Sequence, residues 1–333
     1  MEDRDINSEA GAIALVSDGS AVCGLGNIGG REALPTIKVK AALISEYGGI
    51  DAVPLCLDTQ ETCEIVNTVK HISPSFGGVC LADISAPRCF EIEKRLKEEL
   101  DIPAFHDNQH GTAIATGAAA VNALKLSGKD LSEARIVING AGTVGNAIAR
   151  LLCLLGARDV VVCDSKGIIS AKRISEFGED KLDLLELTNM EGLSGGLDKA
   201  IRSSDVFIGA SAANALPREL IRTMRKKPAV FALASPVPEI SPEDAKAAGA
   251  YVVCTGLAEY PNMIGGLLVT PGIFKGALEA GAKEITDEMK TAAALALAGL
   301  VSDEELSEEY ILPPPGKEGL AETIAKAAAE AWK

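Results

Sequence analysis

The chain has 333 residues, a formal net charge of −15 and a hydrophobic content of 47%, with few aromatic residues. The length predicts two domains. A core made mostly of Ala, Val, Ile and Leu favours parallel strands that are covered by helices on both faces. The negative charge argues against nucleic acid and anionic membrane surfaces as partners, but it does not exclude a small acidic substrate in a locally cationic pocket.

The start of the chain, MEDRDINSE, is polar and acidic, so no secretory signal peptide is predicted. No apolar run is long enough to span a membrane. The eight cysteines lie mostly in apolar runs and none forms a CxxC pair, which indicates reduced, buried thiols and neither a zinc site nor a redox motif. The sequence therefore predicts a cytoplasmic protein.

The first segment alternates patterns typical of strands and helices, and it ends in a polar break at residues 127–132. Strands are predicted at 12–16, 52–57, 79–81 and 103–106, and helices at 33–46, 60–71, 85–100 and 112–126. In the second segment, strands are predicted at 135–139, 160–164, 205–209, 229–233 and 251–254, with helices between them. A long Ala-rich helix at 274–300 and a last helix from about residue 318 complete the chain.

This alternation predicts the α/β class, with two Rossmann-like parallel-sheet domains and right-handed crossovers. The polar break sets the predicted boundary: a first domain at 1–128, completed by C-terminal helices at 276–333, and a second domain at 129–275. The first domain is therefore expected to be discontinuous in sequence.

The stretch RIVINGAGTVGNAIARLL carries the most specific local motif, G-x-G-x-x-G between an apolar strand and a helix. Gly140 permits the tight turn, Gly142 lets the backbone approach a pyrophosphate, and Gly145 lets the helix pack close to the strand. The helix N-terminus offers free N–H groups to the phosphates. The motif predicts a nicotinamide dinucleotide site, with contacts from Gly140, Ala141, Gly142, Thr143, Val144 and Gly145.

Asp164 ends the next predicted strand, 19 residues after Gly145, where an acid can bond the ribose hydroxyls. A carboxylate there repels a 2′-phosphate, so NAD is favoured over NADP, although the nearby Lys166 weakens this preference. The alternative is that the glycines only shape a tight turn and bind no ligand.

Several stretches, in order from about residue 13 to 278, resemble the short bacterial and archaeal type of malic enzyme: VSDGSAVCGLGNIGGREALPTIKVKAAL, GIDAVPLCLDTQ, ISPSFGGVCLADISAPRCFEIE, PAFHDNQHGTA, FALASPVPEI, TGLAEYPN and TPGIFKGAL. The resemblance implies oxidative decarboxylation of malate to pyruvate with NAD(P) and Mg²⁺ or Mn²⁺. It also implies a first domain related to amino-acid dehydrogenases, an NAD-binding second domain and a homodimer.

Residue by residue, the resemblance places the family's general-base lysine at Lys40, with Lys38 as the second choice, and its companion aspartate at Asp107. A lysine base must lose its proton near neutral pH, which requires burial or a nearby cation. Thr112 matches a position that touches the cofactor. His106 and His110 flank the site and are expected to be structural.

The metal positions depart from the family, which holds its cation with a Glu-Asp pair and a later Asp. Here the pair is Ala82-Asp83 and the later acid is Asn108. Two anionic ligands are therefore lost, so metal binding is expected at Asp83 and Asn108 and to be weak. Magnesium sites can work with one or two carboxylates, so Asp83 and Asp107 together are the alternative pair that could still hold an ion.

Positions near the substrate and the nicotinamide also depart from the family. The family's Asn-Pro-Val-Pro motif begins with Ser235, which takes the cofactor-side position of the asparagine. An Asn-Asn pair is Gly265-Gly266, and an arginine is Leu257. A Y-T-P-G motif with the tyrosine that protonates the enolate has no counterpart here, so either the chain is a fragment or this acid is missing.

Three functions stay open on these residues. The first is malate oxidation and decarboxylation, weakened by the substitutions. The second is a non-catalytic, NAD-binding homologue that senses nucleotide or partners an active subunit. The third is a metal-free dehydrogenase of another small acid that uses the same lysine and aspartate. The expected partner is a small dicarboxylic acid such as malate.

Overall fold

The structure is a computed structural model and describes residues 11–333, so the polar N-terminal stretch MEDRDINSE lies outside the described residues. By contact density the chain divides into two compact units. Unit 1 comprises the described residues up to Gly111, together with Gly266–Ala296 and Pro315–Lys333. Unit 2 comprises Thr112–Gly265 and Leu297–Pro314. The first unit is discontinuous in sequence, but its bounds differ from those predicted.

Strands and helices alternate along most of the chain. The strands are β1 (Ala12–Ser17), β2 (Asp51–Cys56), β3 (Gly78–Leu81), β4 (Ala104–His106), β5 (Arg135–Asn139), β6 (Asp159–Asp164), β7 (Gly167–Ile168), β8 (Val206–Gly209), β9 (Ala229–Ala232) and β10 (Val252–Thr255). The helices are α1 (Gly29–Gly48), α2 (Thr62–Ile72), α3 (Arg88–Glu99), α4 (Thr112–Leu126), α5 (Thr143–Leu154), α6 (Glu179–Leu187), α7 (Leu197–Ala200), α8 (Arg218–Ile221), α9 (Pro242–Ala248), α10 (Thr270–Glu279), α11 (Asp287–Gly299) and α12 (Leu320–Ala331).

Unit 1 is built on a four-stranded parallel sheet in the order β2-β1-β3-β4. Residues of one strand point alternately to the two faces, and Ala14 and Val16 of β1 pack with the apolar sides of α2 and α3. Helix α10 packs closely against α12, because Gly276 brings its backbone within van der Waals distance of Ala325. Both faces of the sheet are thereby covered, as the apolar strands require.

Unit 2 contains a six-stranded sheet in the order β10-β9-β8-β5-β6-β7, parallel except for β7. The chain enters at β5, extends to one side through β6 and then returns to the other side at β8. The order therefore reverses between β5 and β8, which is where doubly wound sheets bind ligands at the carboxyl ends of their strands. The turn with Gly140 follows β5 at this point.

The Ala-rich tail is not one helix, and the prediction of a continuous helix at 274–300 is wrong. Helix α10 ends at Glu279, and Gly281 takes a left-handed conformation with φ 62°. Helix α11 begins at Asp287, where the Thr286 hydroxyl accepts a hydrogen bond from the Met289 N–H at 3.2 Å. The alanines favour helix on both sides of the break, so composition alone concealed it.

The predicted boundary at residue 128 relied on the polar break, yet the helix before that break, α4, groups with unit 2 because it packs on α5 and β9. In the same way residues 297–314 group with unit 2, where the Asn122 amide donates to the carbonyls of Ala298 and Ile311, each at 2.9 Å. Packing contacts across the fold, rather than the polarity of the break, determine this division.

Two further predictions concern the cysteines and the membrane. The eight cysteines are free thiols, but Cys23 and Cys63 are exposed and only Cys80, Cys89, Cys163 and Cys254 are buried, so the expectation of buried thiols is only half right. Across residues 11–333, the helices are all too short or too polar to cross a membrane.

Candidate functional site

The glycine turn of unit 2 joins β5 to α5. Gly140 has φ 130°, and a Cβ there would lie 2.1 Å from the Ala210 carbonyl oxygen. A Cβ on Gly145 would lie 1.8 Å from the Gly140 carbonyl oxygen, whereas one on Gly142 would meet nothing within 4 Å. Two glycines are thus required for packing, and Gly142 leaves open space in front of the backbone. The turn fits the approach of a pyrophosphate.

Helix α5 begins at Thr143 with Gly142 at its N-cap, and no side chain caps this end of the helix. Its first backbone N–H groups have no partner within the helix, and the helix dipole adds partial positive charge there. Ala141 and Val144 lie in the same turn. The residues predicted for the dinucleotide from Gly140 to Gly145 therefore form one continuous cradle that suits an anion.

Asp164 lies at the end of β6, where neighbouring donors surround its carboxylate. Arg173 donates to both of its oxygens, at 2.9 Å each, and Lys181 donates to Oδ2 at 2.8 Å. The Lys166 N–H donates to Oδ1 at 2.9 Å. These hydrogen bonds outweigh the burial that would raise the pKa of Asp164 and hold it well below its usual range.

Four donors occupy the roughly four acceptor positions that a carboxylate has, so Asp164 has no lone pair left for a ribose hydroxyl. Arg173 and Lys181 also offset its negative charge. The preference for NAD was predicted from the charge of Asp164, and the two cations reduce the repulsion that this charge exerts on a 2′-phosphate. Sequence reasoning missed both cations because each lies in an irregular stretch or short helix beyond the motif.

The loops after β8 and β9 are joined by Glu239, which is fully buried. Its carboxylate accepts hydrogen bonds from the N–H groups of Ser211, at 2.8 Å, and Ala234, at 3.0 Å. Ser235 follows Ala234 directly, so Glu239 fixes the loop that carries this predicted cofactor residue. Thr112 is the first residue of α4 in the same unit.

Unit 1 brings together the two residues predicted to be catalytic. The Lys40 ammonium donates to Asp107 Oδ2 at 2.8 Å and lies 3.9 Å from Asp83 Oδ1. Lys40 follows the buried stripe of α1, three residues after Ile37 and four before Ile44, so its stem points inward. Lys38 is exposed, which favours Lys40 over the second choice.

Asp107 belongs to a π-helical turn, Asp107–Gly111, that follows β4. Its side chain is 6% exposed, and Oδ1 accepts a short hydrogen bond from the Thr270 hydroxyl. Burial raises the pKa of Asp107, but Lys40 and Thr270 reverse this and hold it below the usual range. Burial lowers the pKa of Lys40, but the Asp107 and Asp83 carboxylates raise it above the ordinary value. The two residues therefore form a charged, nearly buried pair.

Asp83 and Asn108 form a second pair beside the first. The Asn108 amide nitrogen donates to Asp83 Oδ1 at 3.0 Å, and its oxygen accepts from the Asp83 N–H at 2.9 Å. Asp83 has φ 56°, in the left-handed region that few non-glycine residues adopt. Ala82, before it, is fully buried.

A groove of about 420 Å³ runs beside Lys40, lined by Pro35, Thr36, Val39, Leu43 and Leu267. Its walls are mostly apolar, and Lys40 is the one charged residue among those that line it. This combination suits a small organic acid, because the carbon chain can contact the walls while an oxygen faces the ammonium.

A family model described as malic enzyme, NAD binding domain, matches residues 109–331. A second, described as malic enzyme, N-terminal domain, matches residues 4–64. The first match alone covers more than half of the chain. The chain belongs to the malic enzyme family.

Individual relatives agree with this assignment. The bifunctional malic/malolactic enzyme of Bacillus subtilis is 50% identical over 327 residues, which are 98% of this chain and 80% of that protein. The NAD-dependent malic enzyme of Geobacillus stearothermophilus is 47% identical over 319 residues, 96% of this chain and 66% of that protein. The NAD-dependent malic enzyme of Thermotoga maritima matches in structure with a TM-score of 0.92 and 44% identity, over 97% of this chain and 85% of that chain. The predicted family and fold class are confirmed.

The residues predicted to hold a metal, Asp83 and Asn108, do not fit a divalent cation in the arrangement seen here. Among the side chains that the structure describes, no three His, Cys, Asp or Glu residues are grouped to hold a metal ion. Asp107 and Asp83 both face the Lys40 ammonium, and Asn108 uses both ends of its amide on Asp83. Ala82 supplies no oxygen at all from its side chain.

Gly266 is sterically linked to Asp107. A Cβ on Gly266 would lie 2.1 Å from Asp107 Oδ1, and one on Gly111 would lie 2.8 Å from the same atom. Because Lys40 and Thr270 hold the carboxylate, it cannot move aside freely. An asparagine at position 266, which the family resemblance led us to expect, therefore has no room while Asp107 has this position.

The two histidines near the site both contact Glu93, His110 through its ring and His106 through its backbone N–H. The His110 ring lies 3.0 Å from Glu93 Oε2, and Glu93 also accepts from the His106 N–H at 3.2 Å and pairs with Lys97 at 3.0 Å. Burial lowers the pKa of His110 to about 4. The pKa of His106 is lowered for the same reason. Neither ring is a ready proton donor at neutral pH.

Proposed function

We propose that the chain is an NAD(P)-dependent oxidoreductase that acts on malate or a closely similar small acid, with weak decarboxylation. The nearly buried Lys40–Asp107 pair carries this proposal, because Lys40 lines the groove and its charge is held there by Asp107, and perturbed charged groups in a cleft are typical of functional sites. The names of the relatives, which are NAD- or NADP-dependent malic enzymes, support the substrate and the cofactor.

In this proposal Lys40 is the residue that contacts the acid, and Asp107 and Thr270 position it. A bound dinucleotide would accept the hydride from C2. Lys40 passes one proton to Asp107, which its ammonium contacts at 2.8 Å, and takes up the proton of the C2 hydroxyl, so that the restored ammonium lies beside the new carbonyl oxygen and polarises it. A bound cation would stabilise the enolate that CO₂ loss produces. Because the donor set does not fit such a cation, oxidation of the hydroxyl is expected to exceed decarboxylation.

The dinucleotide is proposed to lie with its pyrophosphate on residues 140–145 and its adenosine ribose near Asp164. Ser235 and Thr112 are proposed as further contacts to the cofactor. Since Arg173 and Lys181 offset the charge of Asp164, we expect only weak discrimination between NAD and NADP. A homodimer and a cytoplasmic location complete the proposal, and light scattering on the purified chain tests the first.

The experiment is NADH formation from malate by the wild type, Lys40→Met and Lys38→Met. Methionine keeps the length of the side chain and removes the charge. Lys40→Met is expected to lower kcat by about 100-fold or more, while the exposed Lys38→Met retains the wild-type rate. Equal rates for all three proteins would remove Lys40 from the reaction.

A second candidate is a homologue that binds the dinucleotide without turning over a substrate. The closed Asp83–Asn108 pair favours it, because both polar ends of the amide and one carboxylate oxygen are already used by the protein. Dinucleotide binding with no NADH formed from malate or from other 2-hydroxy acids would support this candidate. Turnover of an amino acid instead would support a metal-free dehydrogenase of another acid.

A further inference from the structure

Asn108 makes two hydrogen bonds to one residue, and the direction of each is fixed. Its carbonyl oxygen faces a donor, the N–H of Asp83, and its NH₂ group faces an acceptor, the carboxylate of Asp83. An amide satisfies both, because it carries a donor and an acceptor on the same group, whereas an ionised carboxylate can only accept. Asn108 is therefore matched to Asp83 and is not merely a neutral version of an acid.

A carboxylate at position 108 would meet Asp83 differently. It could accept from the Asp83 N–H, but its second oxygen would lie near the 3.0 Å at which the amide nitrogen now contacts Asp83 Oδ1. Two negative oxygens at this separation repel each other strongly inside a protein. Such a pair requires either a proton or a cation between the two groups.

One side chain, Lys40, supplies a positive charge close to both aspartates. The Lys40 ammonium lies 2.8 Å from Asp107 Oδ2 and 3.9 Å from Asp83 Oδ1. Gly266 and Gly111 make room for Asp107 in this orientation. Asn108, Gly111 and Gly266 thus share one consequence: the carboxylates are directed at Lys40 and at an amide.

We propose that the Lys40 ammonium and the Asn108 amide take the place of the divalent cation, so that this member of the malic enzyme family holds no Mg²⁺ or Mn²⁺ at Asp83 and Asp107. The acid site is built around a permanent protein cation instead. This inference concerns the ion alone, and its test requires no turnover, so it can fail while the proposed function stands.

The test compares Mn²⁺ binding to the wild type and to Asn108→Asp. The electron paramagnetic resonance signal of free Mn²⁺ measures binding, and thermal unfolding is compared in EDTA and in excess Mn²⁺. Asn27→Asp is the matched control, because Asn27 is an exposed asparagine of unit 1 that also makes a reciprocal amide pair, with Gln60. It adds the same charge away from the site.

We expect that adding the wild type or Asn27→Asp does not change the signal of free Mn²⁺, and that Mn²⁺ does not change the Tm of either protein. Asn108→Asp is expected to have a lower Tm in EDTA, to recover it in Mn²⁺, and to bind Mn²⁺ at least about tenfold more tightly than the wild type. The double variant, Ala82→Glu with Asn108→Asp, should bind Mn²⁺ more tightly than Asn108→Asp alone. Dinucleotide binding by unit 2 reports whether each variant folds.

Wild-type binding of Mn²⁺ as tight as that of the folded double variant would overturn the proposal. The proposal would also be overturned if Mn²⁺ raised the Tm of the wild type but not that of Asp83→Asn. The ion would then be held at Asp83, where the Asn108 amide now binds. If the double variant does not fold, the wild-type and Asn108→Asp titrations decide by themselves.

Discussion

Three glycines of one turn have three different environments, and this difference can be tested residue by residue. Gly140 needs its positive φ, Gly145 needs the absence of a Cβ, and Gly142 has open space before it. The motif predicts a glycine at each position, but only the structure distinguishes a packing requirement from a ligand requirement.

Gly145→Ala is expected to lower the free energy of unfolding by about 3 kcal/mol, because its Cβ would collide with the Gly140 carbonyl. Gly142→Ala is the matched control: its unfolding free energy should change by less than about 0.5 kcal/mol, while its affinity for NADH should fall about tenfold. Urea unfolding and NADH fluorescence measure the two effects. Equal stability of the two variants would contradict the geometry of the turn.

Stability should fall on acidification because His110 is buried. Its pKa is lowered to about 4 in the folded protein, against about 6.5 in the unfolded chain. Between these values the unfolded chain binds more protons, so the free energy of unfolding decreases as pH falls. The loss from this residue is about 2 kcal/mol between about pH 7 and pH 5.

Urea unfolding at several pH values checks this, with His110→Gln as the variant that should reduce the slope. His71→Gln removes an exposed histidine and should keep the wild-type slope. An identical pH dependence in all three proteins would show that His110 titrates alike in both states.

At the scale of elements, the stretch after β6 supplies the charges that surround Asp164. Arg173 lies in a 3-10 helix, Ala171–Glu176, and Lys181 in α6. Neither belongs to the dinucleotide motif, and their approach to Asp164 depends on how an irregular chain folds back. Their position could not be predicted from periodicity, whereas Asp164 itself could.

Lys181→Gln should raise the ratio of the NADP Kd to the NAD Kd by about tenfold, since it removes one positive charge and frees an acceptor on Asp164. Lys166→Gln removes the same charge from a more exposed side chain that pairs with Glu176, and it should change the ratio less. Isothermal titration with both dinucleotides gives the result. An unchanged ratio in Lys181→Gln would place the ribose elsewhere.

At the scale of the whole molecule, the sequence predicts what local patterns and family resemblance determine. The strand, glycine turn and helix at 135–154 are contiguous, so their spacing defines them, and Lys40 lies on the inward stripe of α1. The Asp83–Asn108 pair joins residues 25 positions apart, and the division of the chain follows buried contacts such as those of Asn122. Such features depend on packing across the fold, which no local pattern contains.

If a protein cation replaces the metal, reduction of NAD by malate should not depend on added metal. The initial rate of this reaction in EDTA and in excess Mn²⁺ measures that dependence. We expect the rates in the two conditions to agree within about twofold. We also expect both rates to be lost in Lys40→Met. A rate that is restored only by Mn²⁺ and is absent in EDTA would contradict it.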